Sequence, residues 1–208
     1  MQSKTKRNII EGRPVLIVVD IQKGSASGEP SGIPSMPGFE EKMARAPGII
    51  SQARQCGIPI VFFREAHRRD HIDFGRELDG VEGIHLLEGD LGTEISDEVG
   101  VRPDDYVITK RRYSCFFGTD LEILLKGLKA QTLILIGGLT DVCVHYTFVD
   151  AHQHDYFCRV VEDCVAGSSL DAHEASLNAM EYLQTGARRT TAQIVEAFDT
   201  YRTQGKAA

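Results

Sequence analysis

Five short β-rich runs, residues 14–19, 58–63, 106–109, 132–136 and 157–161, are apolar at consecutive positions rather than at alternate ones. A strand with no polar face has no side to turn to water, so it must be covered above and below. That requirement is met by a parallel sheet with helices on both faces. The segments between the runs carry helix signals. Pro47 suits the first turn of a helix ending near Gln55, with Gly57 as its stop. Thr119 and Glu122 have capping-box spacing ahead of Ile123, and Asp171 and Glu174 repeat it ahead of Leu177, Met180 and Leu183, with Gly186 closing that helix. A further helix is expected over 141–153, directly after the Gly137-Gly138 turn. Strands alternating with helices predict an α/β domain with right-handed crossovers.

Two segments interrupt this rhythm. Residues 23–38 hold four glycines and three prolines, and residues 65–100 are rich in charge, histidine and glycine. Both follow strands, and in open α/β sheets such loops overlie the carboxyl ends of the strands, where ligands bind. Gly24 and Gly28 do not make the G-x-G-x-x-G pattern of a dinucleotide site.

Composition removes several classes of function. With 23 Lys and Arg against 30 Asp and Glu, the formal charge is -7 and no basic stripe exists to meet a phosphate backbone, so no nucleic-acid partner is expected. The apolar runs are far shorter than the ~20 residues of a membrane-spanning helix, so no membrane partner is expected either. Residues 1–12 are polar and basic, which predicts a flexible tail, a cytoplasmic location and one domain over 1–208. The five cysteines form no C-x-x-C pair, so neither a disulfide framework nor a thiolate metal site is expected.

Three residues fall at strand ends and therefore at one rim of the sheet: Asp20 after the first run, Lys110 after the third, and Cys143 a short step beyond the fourth. A thiol in the first turn of a helix feels unpaired N–H groups, which favour the thiolate. A carboxylate can take its proton and return it to a leaving nitrogen, and a lysine can hold the two in register. The other cysteines, Cys56, Cys115, Cys158 and Cys164, read as small buried hydrophobes.

These segments resemble the isochorismatase-like cysteine hydrolases. The likeness rests on the apolar strand ending at Asp20 with Gln22 beyond it, on Lys110 followed by Ser114, Phe116, Gly118, Thr119 and Leu121, and on the run from Gly138 to Val144. It spans roughly residues 13–200. It implies a Rossmann-like three-layer domain with a six-stranded parallel sheet of order 3-2-1-4-5-6, residues 187–190 entering the last strand. It also implies a catalytic triad of Asp20, Lys110 and Cys143, a cis peptide between Gly138 and Leu139, and an oxyanion hole from the Leu139 and Cys143 N–H groups. Nicotinamidases of the family carry a metal site with an Asp-x-His pair in the first long loop. Residues 23–38 contain neither aspartate nor histidine, so no metal and no cofactor are expected. The retained cysteine points to C–N hydrolysis of a small amide or ureide, as in the carbamoyl and ureide hydrolases of the family. Vinyl-ether cleavage with Asp20 as proton donor, and a non-catalytic metabolite-binding role, are the alternatives. The family also implies a homo-oligomer, dimer or tetramer.

Candidate substrate contacts are Gln22, Arg64, His67, Tyr113, Phe116, Thr140 and Thr147. Arg64 and Glu65 lie just past the second run, at the expected rim. A guanidinium there would suit a substrate carboxylate. His67 and His71 are four apart but separated by charged residues, which reads as a loop rather than a ligand pair. His152 and His154 read as surface.

Overall fold

In a computed structural model that describes residues 8–24 and 33–205, the apolar runs at 14–19, 58–63, 132–136 and 157–161 are covered by helices, whereas the run at 106–109 forms an edge strand that leaves Tyr106 and Val107 each 43% exposed, against the expectation of cover on both faces. Strands β1 (Pro14–Val19), β2 (Ile60–Glu65), β3 (Tyr106–Lys110), β4 (Thr132–Gly138), β5 (Phe157–Ala166) and β6 (Arg188–Arg189) form one six-stranded sheet of order β3-β2-β1-β4-β5-β6. Every neighbouring pair is parallel, as the resemblance implies. Along β1, consecutive side chains enter opposite cores. Val15, Ile17 and Val19 pack with α3 (Leu121–Leu128), α4 (His145–Gln153) and α5 (Leu170–Leu183). Leu16 and Val18 pack with α1 (Phe39–Met43), α2 (Ala46–Gln55) and α6 (Thr191–Gly205). Burying each such aliphatic side chain contributes roughly 1.5–3 kcal/mol.

Element boundaries depart from the sequence reading where a polar partner decides them. β2 runs on to Glu65 because that carboxylate lies opposite Lys110 in the β2–β3 register and pairs with it. β5 continues past Val161 to Ala166, with Glu162 paired to Arg188 at 2.9 Å and Asp163 accepting from the Thr191 N–H at 2.7 Å. Asp171 does not cap α5; Ser169 does, its Oγ accepting from the Ala172 N–H at 3.2 Å. Asp120, without a side-chain cap bond, begins α3 in place of Thr119. The expected helix over 141–153 is split into a π-helical turn, Thr140–Val144, followed by α4.

The expected N-terminal tail is tethered where it is described. Arg159 donates to the carbonyls of Ile9 at 2.9 Å and Asn8 at 3.1 Å, and the Glu11 N–H donates to Thr132 Oγ1 at 2.9 Å. Residues 1–7 of that tail, and residues 25–32 of the first long loop, lie outside the described residues. Among the described residues no helix is long and apolar enough to cross a membrane.

Two details of β4 set the rim. Gly137 has φ 114°, and a Cβ there would collide with the Val19 carbonyl, so only glycine lets β4 approach β1 this closely. The peptide between Gly138 and Leu139 is cis, as the resemblance implies. Together they lead the chain from β4 into the π-helical turn that carries Cys143.

Candidate active site

Asp20 is the first residue past β1, in the left-handed region at φ 49°, a conformation that non-glycine residues adopt mainly where the surroundings demand it. Its N–H donates to the Phe63 carbonyl at 3.2 Å, which fixes it against the end of β2. Lys110 ends β3 and is fully buried. Its Nζ lies 2.9 Å from Asp20 Oδ2 and 3.3 Å from Cys143 Sγ, and it pairs closely with Glu65 Oε2. Asp20, Lys110 and Cys143 therefore meet at one point, as their strand-end positions predict.

The structure corrects the electrostatic expectation for the thiol. Burial pushes the Cys143 thiol well above its ordinary value, and the Lys110 charge only partly offsets this. Cys143 thus rests as a thiol. Burial also raises Asp20, to about 6, against the opposing pull of Lys110. Near neutral pH Asp20 is a carboxylate ready to accept a proton. Burial opposes the charged form of Lys110 as well, but Asp20, Cys143 and Glu65 hold it well above the usual lysine value.

Glu65 brings a second network to the same lysine. Its Oε1 lies 3.1 Å from both His67 Nε2 and His85 Nε2, and His67 Nε2 is 3.3 Å from Glu77 Oε2. Burial would raise Glu65, yet Lys110, His67 and His85 hold it well below the usual carboxylate range. His67, against its own burial, is raised to about 9 by Glu65 and Glu77. Donor atoms of Glu65, His67, Glu77 and His85 all lie within 4.8 Å of one another. Two imidazole nitrogens and two carboxylate oxygens suit a divalent transition metal. His85 turns its Nδ1 to the Gly83 carbonyl at 2.7 Å, an orientation that supports a ligating ring, and buried Glu77 Oε1 lacks a hydrogen-bond partner. These residues fit such an ion. The expectation of none rested on residues 23–38; the group converges instead from the segment after β2, with His85 taking the place beside His67 that exposed His71 does not.

A cleft opens onto this centre and is lined by Asp20, Cys143, Leu139 and Tyr113 among others. Leu139 and Cys143, whose N–H groups the resemblance assigns to an oxyanion hole, both line this cleft. Of the expected substrate contacts, only Tyr113 lines the cleft. Gln22 is a clamp: its Nε2 donates to the carbonyls of Glu65 at 2.9 Å and Thr93 at 3.0 Å, and its Oε1 accepts from the Glu65 N–H at 2.8 Å. Arg64 alternates outward from buried Glu65 and donates to Thr109 Oγ1 at 3.0 Å. His67 is enclosed behind the cleft, stacked on Phe74 with ring centroids 3.9 Å apart. Phe116 stacks on His154, at 5.1 Å between centroids. Thr140 Oγ1 is 2.9 Å from His173 Nδ1, and Thr147 Oγ1 accepts from the Cys115 N–H at 2.9 Å. Both threonines brace the nucleophile turn and its helix. The wall residues Phe39, Glu82, His85 and Leu86 went unnoticed in sequence, since they lie in segments without periodicity.

Comparison with known proteins identifies the family and the fold. An isochorismatase domain model matches residues 14–194. The ureidoacrylate amidohydrolase of Pantoea ananatis is 33% identical over 170 residues, covering 71% of this chain and 67% of that protein. The maleamate amidohydrolase of Pseudomonas putida is 28% identical over 169 residues, covering 79% and 78%. The crystal structure of N-carbamoylsarcosine amidase from Thermoplasma acidophilum superposes with a TM-score of 0.70 at 28% identity, covering 86% of this chain and 95% of that one.

Proposed function

The chain belongs to the isochorismatase family, and on that premise we propose that it hydrolyses a C–N bond of a small amide or ureide through a thioester on Cys143. The observation that carries the reading is the position of Lys110 Nζ, buried between Asp20 at 2.9 Å and Cys143 Sγ at 3.3 Å at the floor of a cleft.

The scheme begins with Asp20 accepting the Cys143 proton as the thiolate adds to the substrate carbonyl. Negative charge on the carbonyl oxygen is met by the Leu139 and Cys143 N–H groups. Asp20 then gives the proton to the leaving nitrogen, the C–N bond breaks, and ammonia or an amine departs. Water next delivers a proton to Asp20 and adds to the thioester. Collapse of that adduct releases the acid and the thiolate, which recovers its proton from Asp20. Lys110 remains charged throughout and stabilises thiolate and carboxylate in turn. Glu65, His67, Glu77 and His85 would hold a divalent cation, which when bound would supply positive charge beside Glu65. A cytoplasmic homo-oligomer belongs to the same reading, and size-exclusion chromatography with light scattering tests the assembly.

Cys143→Ala is the direct test. Ammonia release from a substrate found in a panel of amides and ureides is expected to fall by about 1,000-fold or more, because no other group can form the thioester. Full turnover in that variant would overturn the thioester route and leave direct addition of water to the carbonyl, with Asp20 taking the water proton and passing it to the leaving nitrogen.

A further inference from the structure

We propose that the substrate's far end, away from the scissile amide, carries a hydrogen-bond donor such as an ammonium or ureido N–H, and that Glu82 recognises it. This rests on the hydrolase reading above and narrows its substrate class.

The charged side chains that line the cleft are Asp20, Glu65, Glu82 and His85. Among the described residues no lysine or arginine lines the cleft. The cations that the sequence brings near are committed elsewhere. Lys110 lies beneath the floor, on Asp20, Glu65 and Cys143. Arg111 donates to the Ala66 carbonyl at 2.6 Å and pairs with Asp73 at 3.2 Å and with Glu88. Arg112 donates to the carbonyls of Asp73 and Arg111, and Arg64 points out of the sheet to Thr109. His85 has an oxygen acceptor on each ring nitrogen, Gly83 O at 2.7 Å and Glu65 Oε1 at 3.1 Å. Residues 25–32 of the loop after β1 contain no lysine or arginine.

A carboxylate bound in this cleft would thus face the carboxylates of Asp20, Glu65 and Glu82, with no guanidinium in the described lining. The Lys110 ammonium is already engaged by Asp20 and Glu65, and the His85 ring by Glu65, at a site where desolvation makes an unpaired charge costly. Ureidoacrylate and maleamate, the compounds in the relatives' names, are both carboxylates. This cleft is built for a different end group. Glu82 is half-buried on the wall, and the Tyr113 hydroxyl donates to its Oε2 at 2.9 Å, fixing the carboxylate. A held carboxylate beside an aromatic ring is a fitting receptor for an ammonium or an N–H group.

The test uses matched amides that share a primary carboxamide and differ at the far end: β-alaninamide, succinamate and butyramide. Amide turnover by the wild-type protein, and protection of Cys143 from iodoacetamide, are measured for each. The amino-ended compound is expected to exceed the carboxylate in kcat/KM by about tenfold or more, the range that one charge-assisted bond spans. Glu82→Gln should erase most of that preference and Glu82→Lys should reverse it, while butyramide changes far less. Cys143-dependent turnover that favours succinamate would overturn the assignment and leave the hydrolase reading standing. Turnover that persists in Cys143→Ala would sink the thioester route of the hydrolase reading instead. If β-alaninamide is neither hydrolysed nor protective, the assignment is likewise overturned.

Discussion

The ends of β1 and β2 present the same chemistry to the same lysine, and they do not behave alike. Asp20 and Glu65 are both buried carboxylates on Lys110 Nζ. Asp20 looks into the cleft, and burial lifts it to about 6 despite Lys110. Glu65 is gripped by two histidines as well, and these with Lys110 keep it ionised well below the usual range in spite of its burial. Two carboxylates whose environments drive them apart divide the labour: the raised one exchanges protons, the lowered one is fixed charge. Glu65 is then what keeps Lys110 seated while Asp20 gains and loses its proton.

The strongest break of this comparison is Asp20→Asn. An asparagine keeps the shape but cannot accept the thiol proton, so kcat/KM should fall about 1,000-fold or more, a loss of roughly 4 kcal/mol of transition-state stabilisation. In the wild type, kcat/KM should fall about tenfold per unit as pH drops through about 6, because protonated Asp20 can no longer take a proton from Cys143. A stopped-flow or coupled ammonia assay across pH 4.5–8 checks both, since the variant's residual rate should lack that limb.

Glu65→Gln should act more mildly on rate and more strongly on the fold. The negative charge of Glu65 is one of the influences that raise Asp20, and its removal also leaves Lys110 to Asp20 alone. Both effects favour the Asp20 carboxylate, so the acid limb should move to lower pH, with kcat/KM at neutral pH reduced about 10- to 100-fold. Leaving Lys110 and His67 without their shared carboxylate should lower stability by about 3 kcal/mol, read from the calorimetric melting temperature. An acid limb that stays at about 6 would contradict the coupling of the two strand ends.

How far sequence reaches follows the same divide. The Asp20 end was legible because an apolar run that stops at a lone carboxylate marks a strand end, and Lys110 and Cys143 follow by the same logic. Sheet order and the cis peptide came with the resemblance. Glu65 was visible as a rim residue but not as the partner of Lys110, because only the β2–β3 register brings the two face to face. His85, Glu77 and Glu82 sit in a segment whose shape comes from short 3-10 turns and from bridges such as His67 with Leu87. No periodicity announces such contacts. Arg64, Thr140 and Thr147 fall near the rim in sequence, but their side chains engage Thr109, His173 and Cys115, because the direction of a side chain at a strand or helix end depends on one residue of register.

The smallest expected effect separates the two ends most finely. If bond making and breaking need only Asp20, Lys110 and Cys143, then dialysis against a chelator should change kcat/KM by less than about threefold, under 1 kcal/mol of barrier. An ion held by Glu65, His67, Glu77 and His85 would still show in elemental analysis of the purified protein and in a lower melting temperature after dialysis, because a ligand bound only by the folded state stabilises it. A loss approaching that of Asp20→Asn, restored by one equivalent of a divalent cation, would mean that the β2 end takes part in the chemistry instead of holding Lys110 in place. In that event the position of the acid limb names the cause: a limb unchanged by the chelator leaves the proton work on Asp20, whereas one that moves with metal content ties it to the histidine group behind Glu65.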